Sequence, residues 1–320
     1  MKYLLRVLFY LFAIIFSFAN QYLHAEDDLY GKIAPSCLEI LVNGRLDGSG
    51  VICDKNGFVL TAFHVVKKRN KKIEALSKSL GRLPLRLVAT NRSSDLALFS
   101  LPSQKKAYPA LSLAKNIPNE GTDVFLMGSP IFRHHLLLKG SIARRSETFS
   151  WYDGSFKNTF PITGIAAPGS SGGPWVNAKG EIIAIQVAGV TTDFGHQGVN
   201  SAVGGISLKS FLENKETVTV PTIQSAVEEL WGQSPLLISD MPKEVKGLLF
   251  RQVSPHGVCA KAGIKDENIM LQADNQIFER IEPFVKYIRS RKIGEEIKFL
   301  ISNSNGENEK MVSVKLAELK

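Results

Sequence analysis

The 320-residue sequence predicts a mainly β fold, in which two β-barrels are followed by a small α+β module. From Ser36 to about Lys209, short apolar or alternating runs recur between glycines, which is typical of the strands of a barrel or sandwich. The stretch from Pro102 to Gly121 is irregular and proline-containing, so we expect it to connect the first barrel to the second. After residue 233 strands alternate with short helices, and Phe284 and Ile288 share one face of a predicted helix.

Composition and charge place the chain among ordinary globular proteins. Apolar residues make up 44% and charged residues 22% of the chain, and the formal net charge is +9. The densest basic run, Lys67 to Lys72, contains no aromatic residues on which bases would stack. We therefore expect no nucleic-acid partner. A solvated loop is the favoured interpretation of this run, and weak attraction to an anionic envelope surface is the alternative.

The N-terminal 25 residues have the pattern of a secretory signal peptide. Lys2 and Arg6 flank the start of an apolar run, Val7 to Ala19, and Ala25 offers a small residue at a cleavage site. The alternative is an uncleaved membrane anchor, because Leu4 to Leu23 approaches the length of a spanning helix. Both interpretations predict an exported protein, with the periplasm as the favoured location and a secreted or membrane-anchored form as alternatives.

The three cysteines do not form a disulfide-dense pattern. Cys37 and Cys53 flank a predicted hairpin at Asn43-Gly44, so an oxidising compartment would permit them to pair, which would leave Cys259 over. Three buried free thiols are the favoured prediction. The spacing of cysteine, histidine and acidic residues predicts no metal site, and no cofactor is expected.

Three short motifs carry the residue types of a catalytic triad. They are Thr61-Ala62-Phe63-His64, Ser94-Asp95-Leu96-Ala97-Leu98 and Gly169-Ser170-Ser171-Gly172-Gly173-Pro174. A serine hydroxyl is a poor nucleophile until an imidazole takes its proton, and a carboxylate fixes the tautomer of that imidazole. We therefore predict Ser171 as nucleophile, His64 as general base and Asp95 as the residue that orients His64. The order His, Asp, Ser is that of a chymotrypsin-like double β-barrel.

The glycines beside Ser171 leave backbone amides free to point at one spot. The N–H groups of Gly169 and Ser171 are therefore predicted to form an oxyanion hole. Each triad residue also has a structural alternative: a glycine-rich loop for Ser171, a packed core histidine for His64 and a solvated turn for Asp95. The three motifs together favour the catalytic interpretation.

With these motifs the chain resembles the HtrA (Deg) family of serine peptidases. The family's order is matched by Gly48-Ser49-Gly50-Val51-Ile52, Gly57-Phe58-Val59-Leu60-Thr61, His64-Val65-Val66, Ser94 to Leu98, Gly128-Ser129-Pro130, Gly169 to Pro174 and Lys179-Gly180-Glu181-Ile182-Ile183. In the C-terminal part, Ser254-Pro255, Ala260 to Ile264 and Asn268-Ile269-Met270 match the family's PDZ pattern. The resemblance covers nearly all of the mature chain. It departs at Pro168, where many family members carry arginine.

The resemblance implies a trypsin-like protease domain at residues 26–213, a linker at 214–233 and a PDZ domain at 234–320. It also implies an ATP-independent endopeptidase that acts on unfolded or damaged exported proteins. The family assembles as trimers or multiples of trimers, so a homo-oligomer is expected. A membrane partner is expected only if the N-terminal segment stays uncleaved.

The predicted substrate pocket contains no acidic residue. Ile165 and Ala167 precede the nucleophile, and Gln186, Val187 and Ala188 are expected to form a wall of the pocket. No partner is thus offered to a lysine or arginine of the substrate. We expect cleavage after small or medium apolar residues, which become exposed when proteins unfold.

A peptide-binding loop of the PDZ domain is predicted at Gly232, Ser234 and Leu236, followed by a strand from Leu236 to Ser239. Pro235 in this loop has no N–H to hold a terminal carboxylate, so we expect weak or lost C-terminal peptide capture. A folded regulatory module without a ligand is the alternative.

Two other functions are compatible with the sequence. One is a peptide-binding chaperone or sensor in which proteolysis is low or switched off. The other is a membrane-tethered regulatory protease with one dedicated substrate.

Overall fold

The computed structural model describes residues 29–67, 72–192, 195–239 and 244–319. Strands make up 44% and helices 16%, which confirms the predicted mainly β class. The predicted signal peptide and most of the basic run after Lys67 lie outside the described residues. Among the residues described, no helix is both long and apolar enough to cross a membrane.

The first sheet of the described chain contains seven antiparallel strands and carries two of the three predicted triad residues. The strands are β1 (Cys37–Val42), β2 (Arg45–Ile52), β3 (Phe58–Ala62), β4 (Ile73–Ser77), β5 (Gly81–Pro84), β6 (Arg86–Asn91) and β7 (Leu96–Ser100). Their order is β5-β4-β1-β2-β3-β7-β6, and they curve into a half-barrel. A one-turn helix, Phe63–Val66, follows β3 and holds His64, while Asp95 precedes β7.

The second sheet closes into a barrel. Its strands are β8 (Asp123–Gly128), β9 (Leu136–Ile142), β10 (Thr148–Tyr152), β11 (Ser155–Gly164), β12 (Pro174–Val176), β13 (Ile182–Thr192) and β14 (Gly195–Gly204). The order is β10-β11-β14-β13-β12-β8-β9, and a further pairing of β11 with β9 closes a six-stranded ring. β10 pairs with the first half of β11, residues 155–159, and this part extends from the ring as a hairpin. A helix, Gly205–Asn214, follows β14.

The two barrels share one apolar core. Val51 and Leu98 of the first barrel lie in the same cluster as Ile185 and Val203 of the second, and all four are at most 1% exposed. Burial of such side chains is the main driving force for folding, at about 25 cal/mol per Å² of apolar surface. The shared core therefore holds the loop of Ser171, between β11 and β12, against the half-barrel that carries His64 and Asp95.

Trp175 is the largest fully buried side chain of the second barrel. Its indole Nε1 donates to Gln186 Oε1 at 2.7 Å. We expect Trp175→Ala to lower the free energy of unfolding by about 3–5 kcal/mol, because it leaves a cavity and an unpaired buried amide. Urea unfolding followed by circular dichroism would measure this. Trp231→Ala is the matched control, because Trp231 is 68% exposed, and its effect should stay below about 1 kcal/mol. Equal effects of the two substitutions would contradict the prediction.

The C-terminal residues form the predicted α+β unit. Its strands are β15 (Pro221–Thr222), β16 (Ala226–Glu229), β17 (Leu248–Arg251), β18 (Ile269–Ala273), β19 (Glu296–Ser302), β20 (Lys310–Lys315) and β21 (Ala317–Glu318). A five-stranded sheet has the order β16-β17-β18-β19-β20, and β15 pairs with β21. Helices Val258–Lys261 and Ile281–Arg289 accompany it, and Phe284 packs with Phe250 and Phe299 in its core.

Two expectations about the start of this unit need correction. β16 lies inside the predicted linker, so the sheet of the second unit begins before residue 234. The predicted strand from Leu236 to Ser239 is wrong, because Pro235–Ile238 form a helical turn. Proline favours the first turn of a helix, and Leu237 N–H donates to Ser234 O at 3.0 Å. The apolar run after Pro235 fits a strand, but local turn chemistry decides the conformation here.

All three cysteines are free, which confirms the prediction of free thiols and contradicts the alternative pairing of Cys37 with Cys53; the prediction that all three are buried is wrong for Cys53. Cys37 and Cys259 are buried, whereas Cys53 is partly exposed. Burial raises the pKa of Cys53 and of Cys259 to about 12. These thiols are therefore poor nucleophiles at neutral pH.

Candidate active site

Asp95 holds His64 at two points. His64 Nδ1 donates to Asp95 Oδ2 at 2.7 Å, and the backbone N–H of His64 donates to Asp95 Oδ1 at 2.8 Å. A carboxylate only accepts hydrogen bonds, so the imidazole carries its proton on Nδ1 and leaves Nε2 as an acceptor. This is the tautomer that a general base needs.

The turn before β7 places the carboxylate of Asp95. Asp95 is fully buried and has a φ of 53°, a left-handed conformation that aspartate tolerates better than most residues. Its carbonyl accepts from Phe63 N–H at 2.9 Å, which ties the turn to the helix that carries His64. A buried carboxylate is costly without partners, and both oxygens here have one. The solvated-turn alternative for Asp95 therefore does not describe this structure.

The β10–β11 hairpin of the second barrel docks on this turn. Lys157 is 3% exposed and its Nζ donates to Arg92 O at 2.8 Å, while Asn158 N–H donates to Ser93 O at 2.8 Å. Burial lowers the pKa of Lys157, and the nearby carboxylate of Asp95 opposes this shift. Sequence reasoning missed this support, because nothing local indicates that a hairpin of one barrel reaches a turn of the other.

Tyr152 on the same hairpin also lies near the carboxylate of Asp95. Its hydroxyl is buried and faces the carboxylate of Asp95 without a hydrogen bond of standard geometry. Burial raises the pKa of Tyr152 well above its usual value, and the negative charge of Asp95 raises it further. Tyr152 thus remains neutral and adds a polar hydroxyl beside the carboxylate.

The loop of Ser171 packs closely on the strand that leads to His64. Gly172 has a φ of 86°, and a Cβ there would lie 2.2 Å from Thr61 Oγ1 and 2.9 Å from Ala62 N. Only glycine permits this approach. Ser49 N–H donates to Ser171 O at 2.7 Å, which fixes the nucleophile's backbone on the first barrel.

The third contact of the triad is not made. Within the described residues, no hydrogen bond of 3.5 Å or less joins Ser171 Oγ to His64 Nε2. His64 is about one quarter exposed, with a side-chain exposure of 27%. Catalytic hydrogen bonds are often long in the absence of substrate. The structure therefore brings His64 and Asp95 together and leaves Ser171 beside them without that bond.

The backbone around Gly169 directs two amides away from the protein's own acceptors. Pro168 O accepts from Ile131 N–H at 2.8 Å, and Ser170 O accepts from Gly173 N–H at 2.9 Å. In a planar trans peptide the C=O and the following N–H point in opposite directions. The N–H groups of Gly169 and Ser171 therefore point away from those two donors, and neither has an acceptor among the described residues.

The predicted pocket residues differ in what they offer a substrate. Ile165 is 70% exposed and Ala167 and Ala188 are partly exposed, whereas Val187 is buried. The Gln186 side chain already has partners within the protein: its Oε1 accepts from Trp175, and its Nε2 donates to Ala188 O at 2.8 Å.

Asn200 on β14 contacts the segment that precedes Ile165, and the sequence did not predict this contact. Asn200 is fully buried, and its Nδ2 donates to Gly164 O at 2.9 Å. Asn200 Oδ1 accepts from His196 Nε2 at 3.1 Å. Asn200 thus joins β14 to the segment before Ile165, a link between distant residues that no local pattern indicates. In the described chain no group of three or more histidine, cysteine or acidic residues is placed to hold a metal ion.

Comparison with known proteins assigns part of the chain to a known class of domain. Residues 48–185 match the family described as trypsin-like peptidase domain. A probable periplasmic serine endoprotease, DegP-like, of Pseudomonas putida strain GB-1 is 27% identical over 266 residues, covering 82% of this chain and 54% of the relative. The serine protease Do-like HtrA of Lactobacillus helveticus is 25% identical over 286 residues, covering 83% of this chain and 68% of the relative. The chain thus spans about half the length of the DegP-like relative.

Solved structures agree on the fold. The HtrA-type protease AlgW with a decapeptide has a TM-score of 0.59 at 19% identity, covering 92% of this chain and 99% of that one. The serine endoprotease of Yersinia pestis has a TM-score of 0.57 at 21% identity, covering 92% and 98%. The chain therefore carries a trypsin-like peptidase domain. These relatives and solved structures agree with the resemblance to HtrA-type peptidases that the motifs indicate, whereas the PDZ assignment of the C-terminal unit stays a prediction.

Proposed function

We propose that this protein is an exported serine endopeptidase that cleaves unfolded polypeptides with Ser171, His64 and Asp95. The observation that carries the proposal is the two-point contact of Asp95 with His64, which presents Nε2 as an acceptor beside the Ser171 loop. The trypsin-like domain and the HtrA-type relatives support the same reaction.

In the proposed reaction Ser171 Oγ attacks the carbonyl carbon of the scissile peptide, and His64 Nε2 takes the hydroxyl proton. Asp95 stabilises the imidazolium through Nδ1–H. The free amides of Gly169 and Ser171 stabilise the oxyanion of the tetrahedral intermediate. His64 then protonates the leaving amine, and water hydrolyses the acyl-enzyme with His64 again as base. Neither ATP nor a cofactor takes part.

The expected cellular role is quality control in the bacterial envelope. The DegP-like relatives are named periplasmic endoproteases, which supports export. Residues 221–319 would serve as a PDZ-type module, and the family predicts trimers or multiples of trimers. Pro235 has no N–H to offer a terminal carboxylate, so we expect C-terminal peptide capture near Gly232 and Ser234 to be weak. Leu236, the next residue, is 89% exposed.

A fluorophosphonate experiment tests the proposed chemistry directly. The purified chain is incubated with unfolded β-casein, before and after reaction with a fluorophosphonate. We expect casein cleavage, loss of cleavage after labelling, and an adduct on the peptide that contains Ser171. The reagent requires an activated serine, so the exposed serines of the same digest serve as internal controls. An absence of cleavage at every temperature at which the chain is folded, or an adduct elsewhere, would sink the proposal.

Cleavage sites in casein test the predicted specificity. The segments around the nucleophile, residues 164–168 and 186–188, carry no acidic side chain. A lysine or arginine of the substrate would therefore lose its hydration without gaining a partner. We expect mass spectrometry to find most cuts after valine, alanine or similar residues, with trypsin as the control digest. Predominant cutting after lysine or arginine would contradict this.

A second candidate is a peptide-binding chaperone or sensor with low basal proteolysis. The lack of a hydrogen bond between Ser171 Oγ and His64 Nε2 in the described residues is compatible with a low basal activity as well as with an enzyme that awaits its substrate. Suppression of aggregation by a Ser171→Ala variant at parental strength, together with negligible cleavage by the parent, would support this second function.

A further inference from the structure

We propose that Ser49, supported by the buried carboxylate of Glu39, is a positioning residue of the oxyanion hole. The inference rests on the proposed peptidase function. Ser49 belongs to the Gly48-Ser49-Gly50 motif at the centre of β2, on the first barrel, whereas Gly169 belongs to the second. The two residues are 120 positions apart in sequence and in direct contact in the fold.

The hydroxyl of Ser49 accepts one hydrogen bond and donates another. Ser129 N–H donates to Ser49 Oγ at 3.0 Å, so the hydroxyl proton is free to go to Gly169 O, which lies 2.7 Å away. Ser49 is 1% exposed, so water does not replace either bond. Its backbone is fixed as well, since Thr61 Oγ1 donates to Ser49 O at 2.7 Å.

Gly169 is consequently held on both sides. The Ser49 hydroxyl fixes the carbonyl of Gly169 and thus the peptide that follows it. The bond from Ile131 N–H to Pro168 O fixes the preceding peptide, which carries the Gly169 N–H. Gly169 has a φ of 102°, and a Cβ there would lie 2.4 Å from Ser129 O. A glycine at such a position has little steric resistance to peptide rotation. Hydrogen bonds, and not side-chain packing, therefore keep its N–H directed at the oxyanion.

Glu39 anchors the loop that supplies these partners. Its side chain is 3% exposed, and Oε1 accepts from Ser129 Oγ at 2.7 Å and from His134 Nδ1 at 2.6 Å. Ser129 Oγ in turn accepts from His135 N–H at 3.1 Å. A buried charged group strengthens such bonds, because little solvent competes with them. Glu39 on β1 thus fixes the loop after β8. Ser49 contacts both this loop, at Ser129 N–H, and Gly169 O, so it links the position of Gly169 to that of the loop.

The consequence concerns the transition state more than substrate binding. An oxyanion forms only after Ser171 has attacked, so a misplaced Gly169 N–H weakens binding of the transition state and not of the substrate. Loss of one oxyanion donor reduces kcat by about 10²–10³-fold. Ser49 acts through Gly169, so we expect Ser49→Ala to lower kcat by about tenfold to a hundredfold with KM within about twofold.

The test compares full-length Ser49→Ala with the parent on a peptide taken from a casein cleavage site. A peptide boronic acid of the same sequence provides a second readout, because its tetrahedral adduct with Ser171 places an oxygen in the oxyanion hole. Its affinity should fall by the same factor as kcat. Ser302→Ala removes another buried serine hydroxyl, on β19 of the C-terminal unit, and should leave kcat and boronate affinity unchanged.

Unchanged kcat in Ser49→Ala, or a fall in kcat without a matching fall in boronate affinity, would overturn the inference. If Ser49→Ala does not fold, Glu39→Gln tests the inference instead. Glutamine keeps the shape of the glutamate side chain and one acceptor oxygen but lacks its negative charge. We expect kcat about threefold to tenfold lower with KM unchanged, and parental kcat would overturn the inference. The proposed function fails separately, namely if the fluorophosphonate leaves casein cleavage intact.

Discussion

Ser171→Ala should abolish casein cleavage, with kcat about 10⁶-fold below that of the parent. The variant keeps the contact between His64 and Asp95 and the free amides, but it has no atom to form the acyl-enzyme. The backbone bonds of Ser171 do not involve the side chain, so the melting temperature should stay within a few degrees. A peptide assay with mass-spectrometric detection covers the necessary range of rates.

Ser170→Ala is the matched control for this substitution. Ser170 is the adjacent serine, fully buried, and its hydroxyl has no hydrogen-bond partner within the described residues. Removal of an unpaired buried hydroxyl should cost little or stabilise the fold, and we expect activity within about threefold of the parent. If Ser170→Ala were inactive and Ser171→Ala active, the nucleophile would have been assigned to the wrong serine.

Asp95→Asn should lower kcat/KM by about 10⁴-fold. The backbone N–H of His64 donates to Asp95 Oδ1, and His64 Nδ1 donates to Asp95 Oδ2. An asparagine can offer only one oxygen, which the backbone N–H occupies, so its amide NH₂ faces Nδ1. The imidazole then carries its proton on Nε2 and cannot accept the proton of Ser171.

Asp123→Asn provides the control for Asp95→Asn. Asp123 lies on β8 with 56% of its side chain exposed and pairs with Lys139. Surface pairs contribute little, so kcat/KM should stay within about twofold. A loss of less than tenfold in a folded Asp95→Asn protein would contradict the tautomer argument. Thermal melting of both variants separates this effect from unfolding.

Local sequence signals explain which parts of the site were predictable. Glycines beside Ser171, the strand before His64 and the apolar strand after Asp95 are all short-range patterns, and they identified the contact of His64 with Asp95. Lys157 and Asn200 carried no such signal, because a lysine or asparagine in a strand is usually solvated. Their partners are backbone carbonyls on distant segments, and no side-chain pattern marks these.

The sequence by itself determined the chemical groups, their order along the chain and the mainly β class, since strand periodicity and motif spacing are properties of neighbouring residues. It misplaced the segment after Pro235, where an apolar run fits a strand and a helical turn equally well. Only the tertiary structure decided which way the peptides around Gly169 point. Glycine has no intrinsic preference there, and the bonds from Ser49 and Ile131, residues far along the chain, select one orientation.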